Sequence, residues 1–294
     1  MSGPQCCANP PALDSSCGVG HKEEIGGLKC YVTGPSHSKL ALLLISDIFG
    51  YEAPKLSNGG TEPTLAVAYP LLALWIKDYG SSRSCHDFYM PLLIYLEIHD
   101  TTFQIYRKLA DKVSASGFYV VVPDFFYGDP FQGDPFATEN AERPLPVWLK
   151  DHGPDKGFED AKPVIQALKS KGISSIGAAG FCWGAKPVLE LGKYPYIQAA
   201  VLLHPSFVSL EDVQPVKVPI SILGAEIDIM SPPELLKKFE EALNAKPEVD
   251  SFVKIFPGVE HGWTVRYKDE DEVAVKSAEE AHEDMLNWFV KYVK

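Results

Sequence analysis

The sequence has few cysteines, few basic residues relative to acidic ones, and no apolar run long enough to cross a membrane. Six cysteines among 294 residues are too few for a domain held together by disulfides, and none of them forms the C-x-x-C pairs of a zinc site. Acidic residues outnumber basic ones by 39 to 27, and the net charge of −12 argues against nucleic acid or an anionic membrane as a partner. The longest apolar run, residues 65–76, is too short for a membrane span and contains Pro70.

The N-terminal residues also lack the basic and apolar regions of a secretory signal peptide. We therefore expect a cytoplasmic chain, because isolated cysteines fit a reducing compartment. Residues 1–24 are rich in Pro, Ser, Gly and Cys and are predicted to form a flexible N-terminal segment.

Apolar segments typical of buried strands alternate along the chain with amphipathic segments typical of helices. The predicted strands are 28–32, 40–45, 118–122, 176–180, 199–204, 218–223 and 252–256, and the predicted helices are 161–171, 185–191, 233–243 and 275–292. Residues 125–154, rich in aromatics, Pro, Gly and Asp, are predicted to form an irregular loop or cap. The alternation predicts a single α/β domain over 25–294, with a mostly parallel central sheet and helices on both faces.

Residues 57–106 interrupt this pattern. A helix is predicted to begin at residue 52, but residues 57–60 break it, and helical periodicity resumes only at Arg107. Excising 57–106 would place four apolar residues on one helix face at spacings 0, 3, 4 and 7, namely Leu56, Leu109, Ala110 and Val113. The periodicity alone does not decide the register, because Phe103 and Tyr106 also share a helical face with Ala110 and Val113. We interpret 57–106 as an insertion within an otherwise complete domain.

Gly180, Cys182 and Gly184 form a G-x-C-x-G motif between a predicted strand and a predicted helix. This arrangement is typical of a nucleophile elbow, in which a sharp turn presents the central side chain above the sheet. The glycines allow the chain to pass through a turn where backbone angles are strained and space is short. Cys182 is therefore a candidate thiol nucleophile, and the alternative is a buried structural cysteine.

Two further candidates follow predicted strands in the chain order of an α/β-hydrolase. Asp228 comes shortly after strand 218–223, and His261 comes shortly after strand 252–256. Either residue alone is also compatible with an ordinary turn, where Asp is common for backbone reasons. The order of the three favours a Cys182–Asp228–His261 triad, in which the histidine takes the thiol proton and the aspartate orients the imidazolium.

An acyl-thioester mechanism also needs an oxyanion hole. Its predicted donors are the backbone N–H of Trp183, directly after the nucleophile, and that of Ile48, in the loop after strand 40–45. Because a thiolate is itself easily expelled from a tetrahedral intermediate, we expect substrates with good leaving groups, such as activated esters and enol lactones.

Five segments together resemble the dienelactone hydrolase family (carboxymethylenebutenolidases) in its plant form. The segments are 46–50 (SDIFG), 123–128 (PDFFYG), 180–184 (GFCWG), 224–228 (GAEID) and 261–263 (HGW), and the resemblance covers about 20–56 and 107–294. It implies an α/β-hydrolase domain that cleaves a small lactone or ester without a metal or an organic cofactor. We expect a monomer or weak homodimer. It also implies that Cys182, Asp228 and His261 form the catalytic triad.

The resemblance implies further site residues, and the sequence departs from the family at some of them. Asp47 corresponds to the acidic residue that governs the protonation of the thiol, although bacterial members carry the longer Glu. Gly128 lies near the position of an Arg that holds the substrate carboxylate in bacterial members. Arg266 is a candidate anion clamp in its place, or else a surface residue. Tyr127 and Trp263 are assigned to substrate binding.

Two alternative functions stay open. Some plant relatives carry a β-glucanase label, but a glucanase needs two carboxylates flanking the glycosidic bond, and Cys182 does not serve that chemistry. The insertion at 57–106 raises the other alternative, a catalytically impaired, hydrolase-like isoform or binding protein whose oxyanion loop is displaced.

Overall fold

The computed structural model describes residues 20–51, 105–132, 135, 143–267 and 270–294. Residues 1–19 of the predicted flexible segment lie outside the described residues, and so does the predicted insertion apart from its last two positions. The sheet, its covering helices and all the candidate site residues lie within the described part.

Eight strands form one central sheet. They are β1 (His21–Ile25), β2 (Leu28–Thr33), β3 (Leu40–Ile45), β4 (Tyr119–Pro123), β5 (Ser175–Phe181), β6 (Ala199–Leu203), β7 (Ile220–Ile227) and β8 (Ser251–Glu260). Their order is β1-β2-β4-β3-β5-β6-β7-β8. The β1–β2 and β2–β4 pairs are antiparallel and all other pairs are parallel, so the predicted mostly parallel sheet is confirmed.

Helices cover both faces of the sheet. The described helices are α1 (Ile105–Ser114), α2 (Leu145–Trp148), α3 (Pro154–Ser170), α4 (Ala185–Leu191), α5 (Leu210–Val213), α6 (Pro233–Asn244) and α7 (Glu272–Tyr292). Buried residues of α3, α4 and α6 form one core cluster, and those of α1 and α7 form a second cluster on the opposite face. None of these described helices has the length and apolarity of a membrane span.

The observed bounds of several strands and helices differ from the predicted ones. Residues 21–24 were expected in the flexible segment, but they belong to β1, which pairs with β2 across the Gly26–Gly27 turn. This strand is hard to detect because its side chains are polar and mostly exposed. Helix α3 begins at Pro154 and not at 161, and β7 and β8 extend to the residues directly before Asp228 and His261.

Helix α1 begins at Ile105, inside the predicted insertion, so the segment after 104 belongs to the domain. Tyr106 is fully buried together with Leu109, Ala110 and Val113, which selects the helical register that starts at Tyr106. Its ring packs edge-on against Phe181, with the ring centroids 5.2 Å apart. Its hydroxyl accepts a hydrogen bond from the backbone N–H of Asp47 at 3.0 Å. Helix α1 is thereby joined to the turn after β3.

We predict that Tyr106→Phe lowers the free energy of unfolding by about 1–3 kcal/mol, because the buried N–H of Asp47 loses its partner. Urea unfolding measures this change. Tyr119→Phe is a matched control, since its hydroxyl makes only a long contact of 3.4 Å to Glu23 in a partly exposed setting. Equal midpoints for Tyr106→Phe and the unaltered protein would contradict the importance of this bond.

Candidate active site

Parallel strands bring the three candidate catalytic residues to one edge of the sheet. Cys182 follows β5, Asp228 follows β7 and His261 follows β8, each directly after the last strand residue. Because β5, β6, β7 and β8 are neighbours and parallel, their carboxyl ends lie side by side. The structure therefore brings together three residues that are up to 79 positions apart in the sequence, from Cys182 to His261.

Cys182 lies in a strained turn. Its φ is +52°, in the left-handed region that side chains rarely adopt, and the chain continues from it through a 3₁₀ turn (Cys182–Gly184) into α4. A β-carbon at Gly180 would overlap the carbonyl of Gly184, and one at Gly184 would overlap the carbonyl of Ile45. Only glycine therefore fits at these two positions, because a larger residue would overlap a backbone carbonyl. A cysteine that only filled the core would not need such a turn, so this geometry favours the nucleophile interpretation.

His261 and Asp228 form a hydrogen-bonded pair. The His261 Nδ1 atom lies 2.7 Å from Asp228 Oδ2. The other carboxylate oxygen of Asp228 accepts the backbone N–H groups of Met230, at 2.7 Å, and Ser231, at 3.2 Å. The Asp228 side chain is completely buried, so these bonds fix its orientation. The pair has the arrangement of a base held by an orienting carboxylate.

The environment of His261 favours its protonated form. Burial lowers its pKa, but hydrogen bonds and negative charge from Asp228 and Cys182 outweigh burial and raise the pKa to about 9. The Nε2 atom makes no hydrogen bond of ordinary length and angle with a described residue. The sulfur of Cys182 is nevertheless close enough to act on the histidine pKa, and Nε2 is the nitrogen that Asp228 leaves available.

Ser206, which the sequence analysis did not single out, lies against the thiol. Its Oγ is 3.3 Å from the Cys182 sulfur, and its backbone N–H donates to the Cys182 carbonyl oxygen at 3.0 Å. It follows β6, the strand between those that carry Cys182 and Asp228. It lies three residues beyond the end of β6, and no motif or spacing in the sequence marks it.

His204 is a buried neighbour of His261. Its ring is completely buried and packs edge-on against the His261 ring, with the centroids 5.1 Å apart. Burial and the nearby charges of His261 and Arg266 hold the pKa of His204 well below its ordinary value, so this ring is neutral. Its Nε2 atom is hydrogen-bonded to Thr264 Oγ1 at 2.8 Å. Trp263 packs on His204 at 5.5 Å, inside the core, and no described contact joins Trp263 to Cys182.

Asp47 and Arg266 form a buried ion pair beside the site. The Arg266 Nη1 atom contacts Asp47 Oδ2, and the other oxygen of Asp47 accepts the Phe49 N–H at 3.1 Å. Burial raises the pKa of Asp47, whereas the Arg266 charge opposes that rise. Only 16% of the Arg266 side chain is exposed, so the alternative interpretation of Arg266 as a surface residue is wrong.

The two predicted oxyanion donors lie on neighbouring segments. Strand β3 pairs with β5 so that Ile45 faces Gly180, which places the turn containing Ile48 next to the turn containing Trp183. The Ile48 carbonyl accepts the N–H of Phe131 at 2.9 Å, while no described residue accepts from the Ile48 N–H. The Trp183 indole donates to the His152 carbonyl at 2.9 Å, which fixes that side chain.

Tyr127 is an exposed residue in the turn after β4. Its side chain is 56% exposed, its hydroxyl accepts from Lys156 at 3.1 Å, and the Lys156 ammonium lies 4.2 Å from its ring centroid. No described contact joins it to Cys182. In the described part of the chain, no three His, Cys, Asp or Glu side chains cluster in a way that would hold a metal ion.

Known proteins share this sequence and fold. The sequence profile of the dienelactone hydrolase family matches residues 91–293, more than half of the chain. An endo-1,3;1,4-β-D-glucanase of Zea mays is 33% identical over 251 residues, which cover 83% of this chain; the chain spans only 63% of that protein's length. The carboxymethylenebutenolidase homologs of Mus musculus and Homo sapiens are 27% and 26% identical, over 94% and 96% of this chain and 96% and 98% of their own.

Solved structures agree on the fold. A dienelactone hydrolase-like promiscuous phosphotriesterase, P91, from metagenomic libraries superposes with a TM-score of 0.60 at 12% identity, over 95% of this chain and 100% of its own. The dienelactone hydrolase of Anabaena variabilis gives 0.52 at 13% identity, over 94% and 98%. At these identities the likeness concerns the α/β-hydrolase fold alone. On the profile match and the fold together, the chain belongs to the dienelactone hydrolase family and is a hydrolase of that family.

Proposed function

We propose that this chain hydrolyses a small lactone or activated carboxylic ester, with Cys182 as nucleophile, His261 as acid and base, and Asp228 as the orienting carboxylate. The observation that supports this most directly is the 2.7 Å bond between His261 and Asp228 beside a thiol held in a left-handed turn. The carboxymethylenebutenolidase homologs that share nearly the full length of the chain support the class of substrate.

The proposed reaction has two halves. In the first, His261 takes the thiol proton, the Cys182 sulfur attacks the substrate carbonyl carbon, and the tetrahedral intermediate expels the alcohol or enol oxygen, which takes the proton from His261. In the second, His261 takes a proton from water, the hydroxide attacks the thioester carbon, and the thiolate leaves. The backbone N–H groups of Ile48 and Trp183 are the proposed donors to the oxyanion in both halves.

The Asp47–Arg266 pair bears on substrate binding. A guanidinium carries five N–H donors, and the Asp47 contact among the described residues runs through Nη1. We therefore propose Arg266 as the anchor for a substrate anion. The bound anion would compete with Asp47 for the guanidinium. In this proposal Asp47 affects the Cys182 thiol indirectly, through its pairing with Arg266, and a bound anion would weaken that pairing. The substrate-contact roles of Tyr127 and Trp263 stay predictions.

The name of the maize relative raises β-glucan hydrolysis as a second activity. That chemistry needs two available carboxylates on opposite sides of the glycosidic bond. Here Asp228 is bonded to His261 and two backbone N–H groups, and Asp47 is paired with Arg266. The carboxylates next to the thiol are therefore committed to other partners, and ester hydrolysis is the better-supported function.

We predict that the full-length protein hydrolyses p-nitrophenyl acetate and that Cys182→Ala lowers kcat/KM at least a hundredfold, because the thioester can no longer form. A version lacking 57–104, which keeps Tyr106 and the rest of α1, tests the impaired-isoform alternative. Activity only in that shorter version would mean that the full-length chain is the impaired form. Mixed-linkage β-glucan is the comparison substrate for the alternative activity. If Cys182→Ala still cleaved this glucan, the proposal would be contradicted.

We further predict that kcat/KM falls as the pH rises through about 9, because the imidazolium of His261, whose pKa is raised to about 9, is then lost. Asp228→Asn removes a carboxylate that raises this pKa, so the falling limb should move to lower pH and kcat should drop. A pH–rate profile measures both effects. Asp250→Asn, on the exposed surface, is the control, and an unmoved alkaline limb in Asp228→Asn would contradict the assignment.

A further inference from the structure

Ser206 is bound to the candidate nucleophile at two points. Its hydroxyl oxygen is 3.3 Å from the Cys182 sulfur, and its backbone N–H donates to the Cys182 carbonyl at 3.0 Å. The residue is completely buried, so water does not compete for the hydroxyl. A contact of this kind is directional, because the backbone bond fixes where the hydroxyl lies relative to the turn.

The loop that carries Ser206 is itself held in an unusual shape. His204 and Phe207 have φ values of +38° and +61°, both in the left-handed region. The Ser231 hydroxyl donates to the Pro205 carbonyl at 2.8 Å, while the Ser231 N–H donates to Asp228. The loop after β6 is thus tied to the loop that carries the triad acid, and strained residues at this place indicate a requirement on position.

The other polar groups of the site make no hydrogen bond of ordinary length and angle with the sulfur. The oxygens of Asp47 contact Arg266 and the Phe49 N–H. His261 Nε2 makes no hydrogen bond of ordinary geometry. Among the described residues, the Ser206 hydroxyl is therefore the side-chain group with ordinary hydrogen-bond geometry to the sulfur, while His261 acts on it through a looser contact.

We propose that Ser206 is a further catalytic residue, whose hydroxyl donates a hydrogen bond to the Cys182 thiolate and so stabilises its charge and fixes its direction of attack. This proposal rests on the proposed function, since it assigns a role at the same sulfur. A hydroxyl donates more strongly to a thiolate than to a thiol or a thioester, because hydrogen bonds to charged acceptors are the stronger ones. The bond therefore favours thiolate formation before attack and thiolate release from the thioester.

Two positive groups act on the same sulfur from other elements. Charge on Cys182 raises the pKa values of His261 and Arg266, and Arg266 is in turn paired with Asp47. Substituting Ser206 leaves these charges in place. A change in the pH dependence of the thiol on removal of the hydroxyl would thus report the hydroxyl itself.

The test is the alkylation of Cys182 by iodoacetamide in the full-length protein, followed between pH 5 and about 10 by mass spectrometry of the Cys182 peptide, which separates it from the other cysteines. In Ser206→Ala we expect the midpoint of the rate–pH curve to rise by about one unit, with alkylation about tenfold slower below the midpoint. Ser206→Thr keeps the hydroxyl and should stay close to the unaltered protein.

Ser221→Ala is the matched control, because Ser221 is also a completely buried serine and its hydroxyl has no described partner. If Ser206→Ala alkylates like Ser221→Ala and the unaltered protein, the proposal is wrong. If Ser206→Ala does not fold, as judged by circular dichroism, Ser206→Thr and Ser206→Val make the same comparison, since they differ only in hydroxyl against methyl. Ester hydrolysis that persists in Cys182→Ala would overturn the proposed function instead, and it is measured separately.

Discussion

The site depends on one backbone constraint, the left-handed conformation of Cys182 between two glycines. The turn is possible only because Gly180 and Gly184 leave room for the carbonyls of Gly184 and Ile45. Strand β3 must therefore run directly beside β5, and its following turn, with Ile48, comes to the side of the thiol. A strained residue persists only where its surroundings over-determine it, and here the central strands of the sheet do so.

Next to the His261–Asp228 pair lies a column of buried polar groups that carry no charge. His282 of α7 is bonded to the Thr264 carbonyl at 2.9 Å, and the Thr264 hydroxyl is bonded to His204, which packs on His261. Burial lowers the pKa of His282 to about 3. Neutral rings support an imidazolium without repelling it, whereas a charged His204 would oppose the protonation that the Asp228 contact favours.

The parts of the molecule that the sequence predicted are those governed by short-range rules. Cys182, Asp228 and His261 each follow an apolar strand, and the glycine spacing marks the turn, so their placement at one sheet edge could be anticipated. Ser206 and His204 could not, because their roles depend on contacts with Cys182 and His261, which are distant in the sequence. Strand β1 was not predicted because its side chains are mostly polar, whereas strands were predicted from apolar runs. The burial of Arg266 depends on Asp47, which lies 219 positions away in the chain.

The contact between Tyr51 and Arg107 has a consequence for how the domain tolerates change. The Arg107 guanidinium lies 5.7 Å from the centroid of the Tyr51 ring, so positions 51 and 107 are neighbours in the fold. When the two ends of a loop are held together by the fold, each doubling of its length costs only about 0.6 kcal/mol in closure entropy. The connection between β3 and α1 is therefore a place where added sequence, or new chain termini in a circular permutant, would cost the sheet little.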